Sequence, residues 1–368
     1  MNYAQAKITL GAIQMGFLLT LSALFVVFDF GSQLDLWAGS LSMPVAWALL
    51  IVGFVLVSLP FDLIGGYILP HKFGRTTETL GEWVIGMLRG VGVQGFYFFI
   101  QGLILSWIGG WLGPWGAVGW VAISMILLTG LQFYIARLVY GFEWRMESHQ
   151  GRWVYFFDSQ DRAFSGGVCG FPGKESIVIP EYWVQRFPAA VTKMMITRRI
   201  GAIQSGSHGR GIGVAYIVNL LAFTGAVFLS PLPLTTLGGL VATVCIFAGF
   251  SALAMVGLIP WLSRKGVFEI DRWVYYKRVD IDALRESFDL THRLQEDMGG
   301  KSPVAAVLTS VPTQSMRQAY LQSQAPVKGA WQASRHAIFT SWAGINLLAR
   351  ASYLNQGRPA LWVFLPGD

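Results

Sequence analysis

Six stretches of about 20 mostly apolar residues constrain the fold of this chain more than any other feature. They cover residues 10–30, 44–63, 84–107, 116–136, 212–229 and 237–262. Each stretch is long enough for a helix to cross the hydrocarbon core of a bilayer. Only 13% of the residues are charged, about half of the share in an ordinary soluble domain. The sequence therefore excludes a purely soluble protein.

The basic residues predict the orientation of these segments. The connections 31–43, 108–115 and 230–236 contain no Lys or Arg. The other flanks carry Lys7, Lys72, Arg75, Arg137, Arg145, Arg264 and Lys265. Because positive residues stay on the cytoplasmic side, we expect both termini and the soluble lobe in the cytoplasm, at an inner membrane of the bacterial type. We attribute the net charge of +7 to this topology. The sequence has no basic cluster with stacking aromatics, so it does not predict a nucleic-acid partner.

The predicted fold is a mostly α polytopic membrane protein with a small α+β cytoplasmic lobe. Residues 1–136 hold transmembrane helices 1–4, 137–211 a cytoplasmic protease-like segment, 212–262 transmembrane helices 5–6, 263–324 a cytoplasmic helical region and 325–368 an amphipathic tail. Within the lobe, the runs 153–157 and 176–179 predict a β-hairpin. Helices are expected over 180–186, 188–203, 280–297 and 313–324. The tail suits an interfacial or partner-docking segment, or equally an extension that covers the lobe.

Several segments then resemble one family in their order and spacing. They are Pro60-Phe61-Asp62 after the second span, Lys72-Phe73-Gly74 with Thr79, Ser176–Pro180 with Tyr182 and Trp183, Ser263-Arg264-Lys265 with Asp271-Arg272, and Val311-Pro312 with Arg317. This series is similar to the membrane-embedded metalloproteases of the CAAX prenyl endopeptidase type, a branch of the HExxH gluzincins. The resemblance covers about residues 45–320 and implies a zinc-dependent fold.

The resemblance fails at the residues that would hold zinc. The family's helix reads His-Glu-x-x-His, because two imidazoles four residues apart share one helix face and the Glu activates the metal-bound water. At the matching positions this chain has Arg198, Arg199 and Ala202, with Gly201 between them. Arginine has no lone pair to donate and stays charged, so it cannot bind Zn²⁺.

The third zinc ligand implied by the resemblance is also absent. A Glu is expected four residues before Asp271, and Val267 stands there. Asp271 and Arg272 are the retained scaffold. We therefore expect no metal, no other cofactor and no catalytic residue. We further expect Arg198 or Arg199 to pair with Asp271 or Glu269, while the other arginine points outward because adjacent helical residues diverge by about 100°.

No other catalytic pattern emerges from the sequence. The five histidines have no helical i, i+3 or i, i+4 partner among themselves, and His208 is expected in a surface loop. Lys174 is followed by Glu175, whereas a phosphate-binding loop requires Ser or Thr after the Lys.

Polar residues within the spans, namely Gln94, Gln101, Gln132 and Asn219, more often join helices than line a transport pathway, which makes a transporter the weakest interpretation. The sequence favours an inactive metalloprotease-like membrane protein that acts as a structural or accessory subunit. Its expected partners are the lipid bilayer and other membrane protein subunits. The alternative is an active membrane metalloprotease, or another membrane enzyme, with a relocated site.

Overall fold

The structure, a computed structural model, describes residues 3–141, 143–159, 161, 163–277, 280–295, 310–323, 326–352 and 355–365. It is mostly helical with one small mixed sheet. Among the described residues, five helices are long and apolar enough to cross a membrane: Gln5–Val27, Met43–Lys72, Leu80–Tyr140, Ser207–Leu229 and Leu237–Val256. The predicted fold class, a polytopic membrane protein with a small α+β unit, is confirmed.

The helices are α1 (Tyr3–Val27), α2 (Phe30–Ala38), α3 (Met43–Leu63), α4 (Leu69–Lys72), α5 (Leu80–Tyr140), α6 (Glu181–Arg186), α7 (Ala189–Gln204), α8 (Ser207–Leu229), α9 (Leu237–Val256), α10 (Leu258–Tyr276), α11 (Ile281–Gln295), α12 (Gln314–Ser323) and α13 (Ala333–Thr340). A π-helical turn, Ile64–Ile68, joins α3 to α4. The helices expected over 180–186, 188–203, 280–297 and 313–324 are found as α6, α7, α11 and α12. Residues 296, 297 and 324 lie outside the described residues.

Helix α5 contains two of the six predicted spans because the chain reverses within it. Gly113 has φ 67° and ψ −166°, a conformation that only glycine adopts without strain. The two arms run antiparallel, since Tyr97 bonds to Ser124 through their hydroxyls and Arg89 donates to the carbonyl of Tyr140 over 3.4 Å. The sixth predicted span is shorter than expected: α9 ends at Val256, and α10 begins after a break.

The three connections without Lys or Arg meet at one end of the bundle. The backbone N–H of Gly238 donates to the Asp35 carboxylate over 2.6 Å, which joins α2 to the start of α9. The Ser106 hydroxyl lies 3.5 Å from the carbonyl of Thr235, which joins the reversal in α5 to the same loop. The alternation of connections with and without Lys or Arg therefore corresponds to two opposite ends of the structure.

The sheet consists of β1 (Trp144–His149), β2 (Arg152–Phe157), β3 (Gly167–Cys169) and β4 (Ser176–Pro180) in the order β1-β2-β4-β3. The hairpin predicted from the runs 153–157 and 176–179 is wrong, because β2 and β4 pair in parallel. Their antiparallel partners are β1 and β3, respectively. The connection between β2 and β4 is too long for a tight turn, and it crosses over to contribute β3 at the edge.

Residues 326–352 and 355–365, which we call the C-terminal segment, run through the interior of the molecule. Trp331, Trp342, Leu348, Trp362 and Leu365 are each at most 2% exposed. Part of this segment forms one apolar core with the membrane helices. The described residues of this segment therefore do not form the interfacial tail that its mixture of Trp and Arg suggested. Its aromatic and basic side chains find partners within the chain.

Candidate functional site

The candidate site lies where α7 packs against α10. Arg198 on α7 and Asp271 on α10 are 2% and 0% exposed. The Nε of Arg198 donates to Oδ1 of Asp271 over 3.0 Å, and Nη2 lies 2.8 Å from the same oxygen. Charge-assisted hydrogen bonds of this kind are about twice as strong as neutral ones. The ion pair expected between Arg198 and Asp271 is present.

A second arginine completes the site. Arg317 on α12 donates from Nε to Oδ2 of Asp271 and from Nη2 to Oδ1, both over 2.7 Å. Both guanidinium groups face the Phe288 ring of α11, with the carbon of the Arg317 guanidinium 3.6 Å from the ring centroid. One buried carboxylate therefore links α7, α10 and α12 over the aromatic face of α11.

Arg199 is also buried, which corrects the expectation that only one of the two arginines points inward. Its side chain is 0% exposed. It donates to the carbonyls of Met195 over 3.0 Å and Ser165 over 2.6 Å, and its guanidinium lies 5.2 Å from the centroid of the Trp183 ring. The expectation failed because α7 is covered on both sides, by α10 on one and by the loop before β3 and the short α6 on the other.

The remaining positions that correspond to the zinc motif are filled by close packing. Ala202 and Val267 belong to one apolar cluster of the lobe. A Cβ on Gly201 would lie 2.7 Å from the Trp273 ring, so the packing of α7 on α10 explains the glycine. Val267 precedes Asp271 by one turn and is 2% exposed. Within the described part of the chain, no group of three or more His, Cys, Asp or Glu side chains could hold a metal ion.

Arg272 does not belong to the buried cluster. It is partly exposed, and its Nη2 lies 3.4 Å from the hydroxyl of Tyr276. The alternative partner considered for Arg198 and Arg199, Glu269, instead binds Arg210 over 2.6 Å and accepts from the backbone N–H of Gly329 over 2.8 Å. Glu269 therefore holds the start of the C-terminal segment against α8 and α10.

The expectation of a surface loop at His208 is wrong. Gly206 adopts a left-handed conformation that starts α8 at Ser207, which places His208 in the first helical turn at 0% exposure. Its Nε2 bonds the carbonyl of Gly170 over 3.0 Å. Its ring centroid lies 5.1 Å from that of His336 on α13, which is also buried. Nδ1 of His208 and Nε2 of His336 have no hydrogen-bond partner in the described structure.

The four amide-bearing residues singled out in the sequence of the spans all bind the C-terminal segment. The amide of Gln101 donates to the carbonyl of Ala343, and those of Gln132 and Asn219 donate to Val363 and Ala337 over 3.2 and 2.8 Å. Gln94 accepts from Nε of Arg350. Non-helical backbone at membrane depth needs such internal partners, because the hydrocarbon offers none.

Comparison with solved structures identifies the architecture. The crystal structure of S. mikatae Ste24p superimposes with a TM-score of 0.71 at 16% sequence identity, covering 87% of this chain and 87% of that chain. The chain has a Ste24p-like fold. Ste24p is a CAAX prenyl protease, a membrane metalloprotease of the HExxH type. No protein-family model and no curated protein matches the sequence.

The Ste24p-like fold agrees with the resemblance in the sequence, but two features of the site lay beyond sequence reasoning. Asp271 and Arg317 are 46 residues apart, and no local pattern pairs them; Arg317 was placed near the site only through the family resemblance. His208 and His336 meet because α8 packs on α13. The glycine-rich start of α8 suggested a loop there, and no local signal marked the burial.

Proposed function

We propose that this protein is a catalytically inactive metalloprotease-like membrane protein that serves as a structural or accessory subunit of a membrane complex. The observation that carries the proposal is the Asp271 carboxylate, whose Oδ1 accepts hydrogen bonds from Arg198 and Arg317 and whose Oδ2 accepts one from Arg317. The two arginines and Asp271 cross-link α7, α10 and α12 without a zinc ion. Arginine cannot coordinate a metal, and Val267 and Ala202 offer only apolar atoms.

The filled interior supports the same proposal. The C-terminal segment occupies the space between the membrane helices, where the side chains of Gln101, Gln132 and Asn219 bind its backbone carbonyls. These side chains are therefore not available to bind the backbone of another peptide. With these groups occupied by its own chain, the protein is suited to present its exterior to partners.

Metal analysis of the purified protein tests this proposal. After stringent washing, we expect far less than one zinc per chain and no chelator-sensitive peptidase activity, with S. mikatae Ste24p as the positive control. A matched variant rebuilds the motif with Arg198→His, Arg199→Glu, Ala202→His and Val267→Glu. A gain of zinc in this variant alone would support a degenerate zinc site. Stoichiometric zinc in the unmodified protein would contradict the proposal.

The second candidate is an active membrane metalloprotease, or another membrane enzyme, with a relocated site. The buried pair of His208 and His336 favours it, because each ring has one nitrogen without a partner among the described residues. A histidine ligand commonly donates its other N–H to a backbone carbonyl, as His208 does to Gly170. If zinc is found and is lost in His336→Gln but not in His149→Gln, this second candidate replaces the first.

A further inference from the structure

A group of buried polar side chains surrounds the point where the C-terminal segment meets α1 and α3. These residues, which we call the Asp62 cluster, are Gln14, Ser58, Asp62, Arg350, Asn355 and Gln356, and each is at most 2% exposed. Eight of their atoms have no hydrogen-bond partner among the described residues: both polar atoms of the Gln14 and Asn355 amides, Ser58 Oγ, Asp62 Oδ2, Arg350 Nη1 and Gln356 Oε1.

The geometry around Asp62 shows how the cluster is built. Oδ1 of Asp62 accepts from the backbone N–H of Gly357 over 2.7 Å. Oδ2 faces Nη1 of Arg350 at 3.6 Å, which is beyond hydrogen-bond distance. Ser58 precedes Asp62 by one helical turn, so both side chains lie on the same face of α3. The charged pair is therefore close but incompletely bonded.

The other members surround this pair. Gly65 lies against Gln356, since an added Cβ would be 2.6 Å from the Cβ of Gln356. The carbonyl of Gly65 also accepts from Nζ of Lys7 over 2.9 Å, and Gln14 follows Lys7 by two turns on the same face of α1. The Arg350 guanidinium lies 4.6 Å from the centroid of the Trp362 ring, whose indole N–H donates to the carbonyl of Asn355 over 2.9 Å.

A dry cluster of this kind is energetically unfavourable. Each buried polar group left without a partner loses its hydrogen bonds to water and gains none in return, and a folded domain is only marginally stable. Hydrogen-bonding molecules that fill the gaps would remove this cost, as buried water commonly does at polar sites.

The charges decide the class of ligand. A cation would be repelled by Arg350 and Lys7, and an anion by the free oxygen of Asp62. The unpartnered atoms include both donors and acceptors, which suits a small neutral molecule able to donate and accept. We propose that the Asp62 cluster is a hydrated internal site, and that its ordered water molecules join the C-terminal segment to α1 and α3.

The sign of a stability change tests this proposal. In the double variant Gln14→Leu with Asn355→Leu, a hydrated site loses water bridges, so the melting temperature of the protein in detergent falls. In a dry site the same change removes unpaired polar atoms, so the melting temperature rises. Met15→Leu, next to Gln14 and similar in volume, is the control and changes little. A rise in the double variant overturns the proposal.

A second measurement requires only one small substitution. In Ser58→Ala, a hydrated site loses the water contact of the hydroxyl, so the melting temperature falls, whereas in a dry site the same change removes an unpaired polar atom. Ser148→Ala on the exposed strand β1 is the control and changes little. A melting temperature of Ser58→Ala equal to or above that of the unmodified protein would overturn the proposal even if the double variant fails to fold.

Discussion

Asp271 links three helices of the lobe through one buried carboxylate. Its carboxylate is fully buried and accepts hydrogen bonds from Arg198 and Arg317, which come from helices separated in the sequence by the fifth and sixth spans. Two buried guanidinium groups require a negative partner, because an uncompensated charge in an apolar interior is strongly unfavourable. The cluster is therefore held by one acidic residue shared between two basic ones.

Replacing Asp271 by Ala tests this role. We expect a loss of about 3–5 kcal/mol in the free energy of unfolding, because the two arginines remain buried without this carboxylate. Thermal or denaturant unfolding in detergent measures the change. Arg272→Ala, at the adjacent and partly exposed position, should change stability by less than about 0.5 kcal/mol. Similar effects of the two substitutions would contradict the assignment.

His336 makes stability depend on pH. Burial, followed by the nearby His208 and the Arg335 guanidinium, lowers the pKa of His336 well below its usual value of 6.5. The unfolded chain then binds a proton at a higher pH than the folded protein, so stability is lost as the pH falls below about 6.5. The melting temperature should decrease between pH 7 and pH 5, and His336→Gln should reduce this dependence. His149→Gln on the surface of β1 is the control, and an unchanged profile in His336→Gln would refute the idea.

At the scale of secondary-structure elements, glycines allow the C-terminal segment to approach the membrane helices. In the turn after α3, a Cβ on Gly66 would lie 2.0 Å from the carbonyl oxygen of Gly357. The two backbones thus touch directly, next to the hydrogen bond between Gly357 and Asp62. Only glycine permits this distance without displacement of the segment.

Gly66→Ala should therefore destabilise the protein by about 1–3 kcal/mol, the usual range for an overpacked interior. Gly53→Ala on α3 is the matched control, because nothing lies within 4 Å of its added Cβ. The melting temperatures of the two variants in detergent give the comparison. A stable Gly66→Ala protein would mean that the segment does not pack against this turn.

Local patterns predicted the elements well, and long-range pairing poorly. Membrane helices and lobe helices such as α7 follow from apolar runs, prolines and caps, which act within a few residues. The parallel pairing of β2 with β4 depends on a crossover that no local signal encodes. The burial of the C-terminal segment depends on partners such as Gln101 and Asn219, which are more than 100 residues distant in the chain. The arginines of the candidate site were identified by resemblance, and one of their contacts, Arg198 with Asp271, by charge.

At the scale of the whole molecule, the structure separates two ends, and the orientation of these ends in the membrane remains a prediction. The end that joins α2, the reversal in α5 and the loop before α9 carries no Lys or Arg in its connections. The lobe lies beyond the opposite ends of the spans. By the distribution of positive charge, we expect the end without Lys or Arg to face away from the cytoplasm.

Cysteine labelling tests this orientation. Cysteines placed at Ser32, Ser230 and Leu112, which is 60% exposed beside the reversal in α5, should react with a membrane-impermeant maleimide only from the extracytoplasmic side. A cysteine at Ser148 on the exposed strand β1 should react only from the cytoplasmic side. The native thiols give little background, because Cys245 is buried and burial raises the pKa of the Cys169 thiol to about 12, where few thiolates form at neutral pH. Labelling of Ser32→Cys and Ser148→Cys from the same side would contradict the predicted topology, since the spans place these two positions at opposite ends of the molecule.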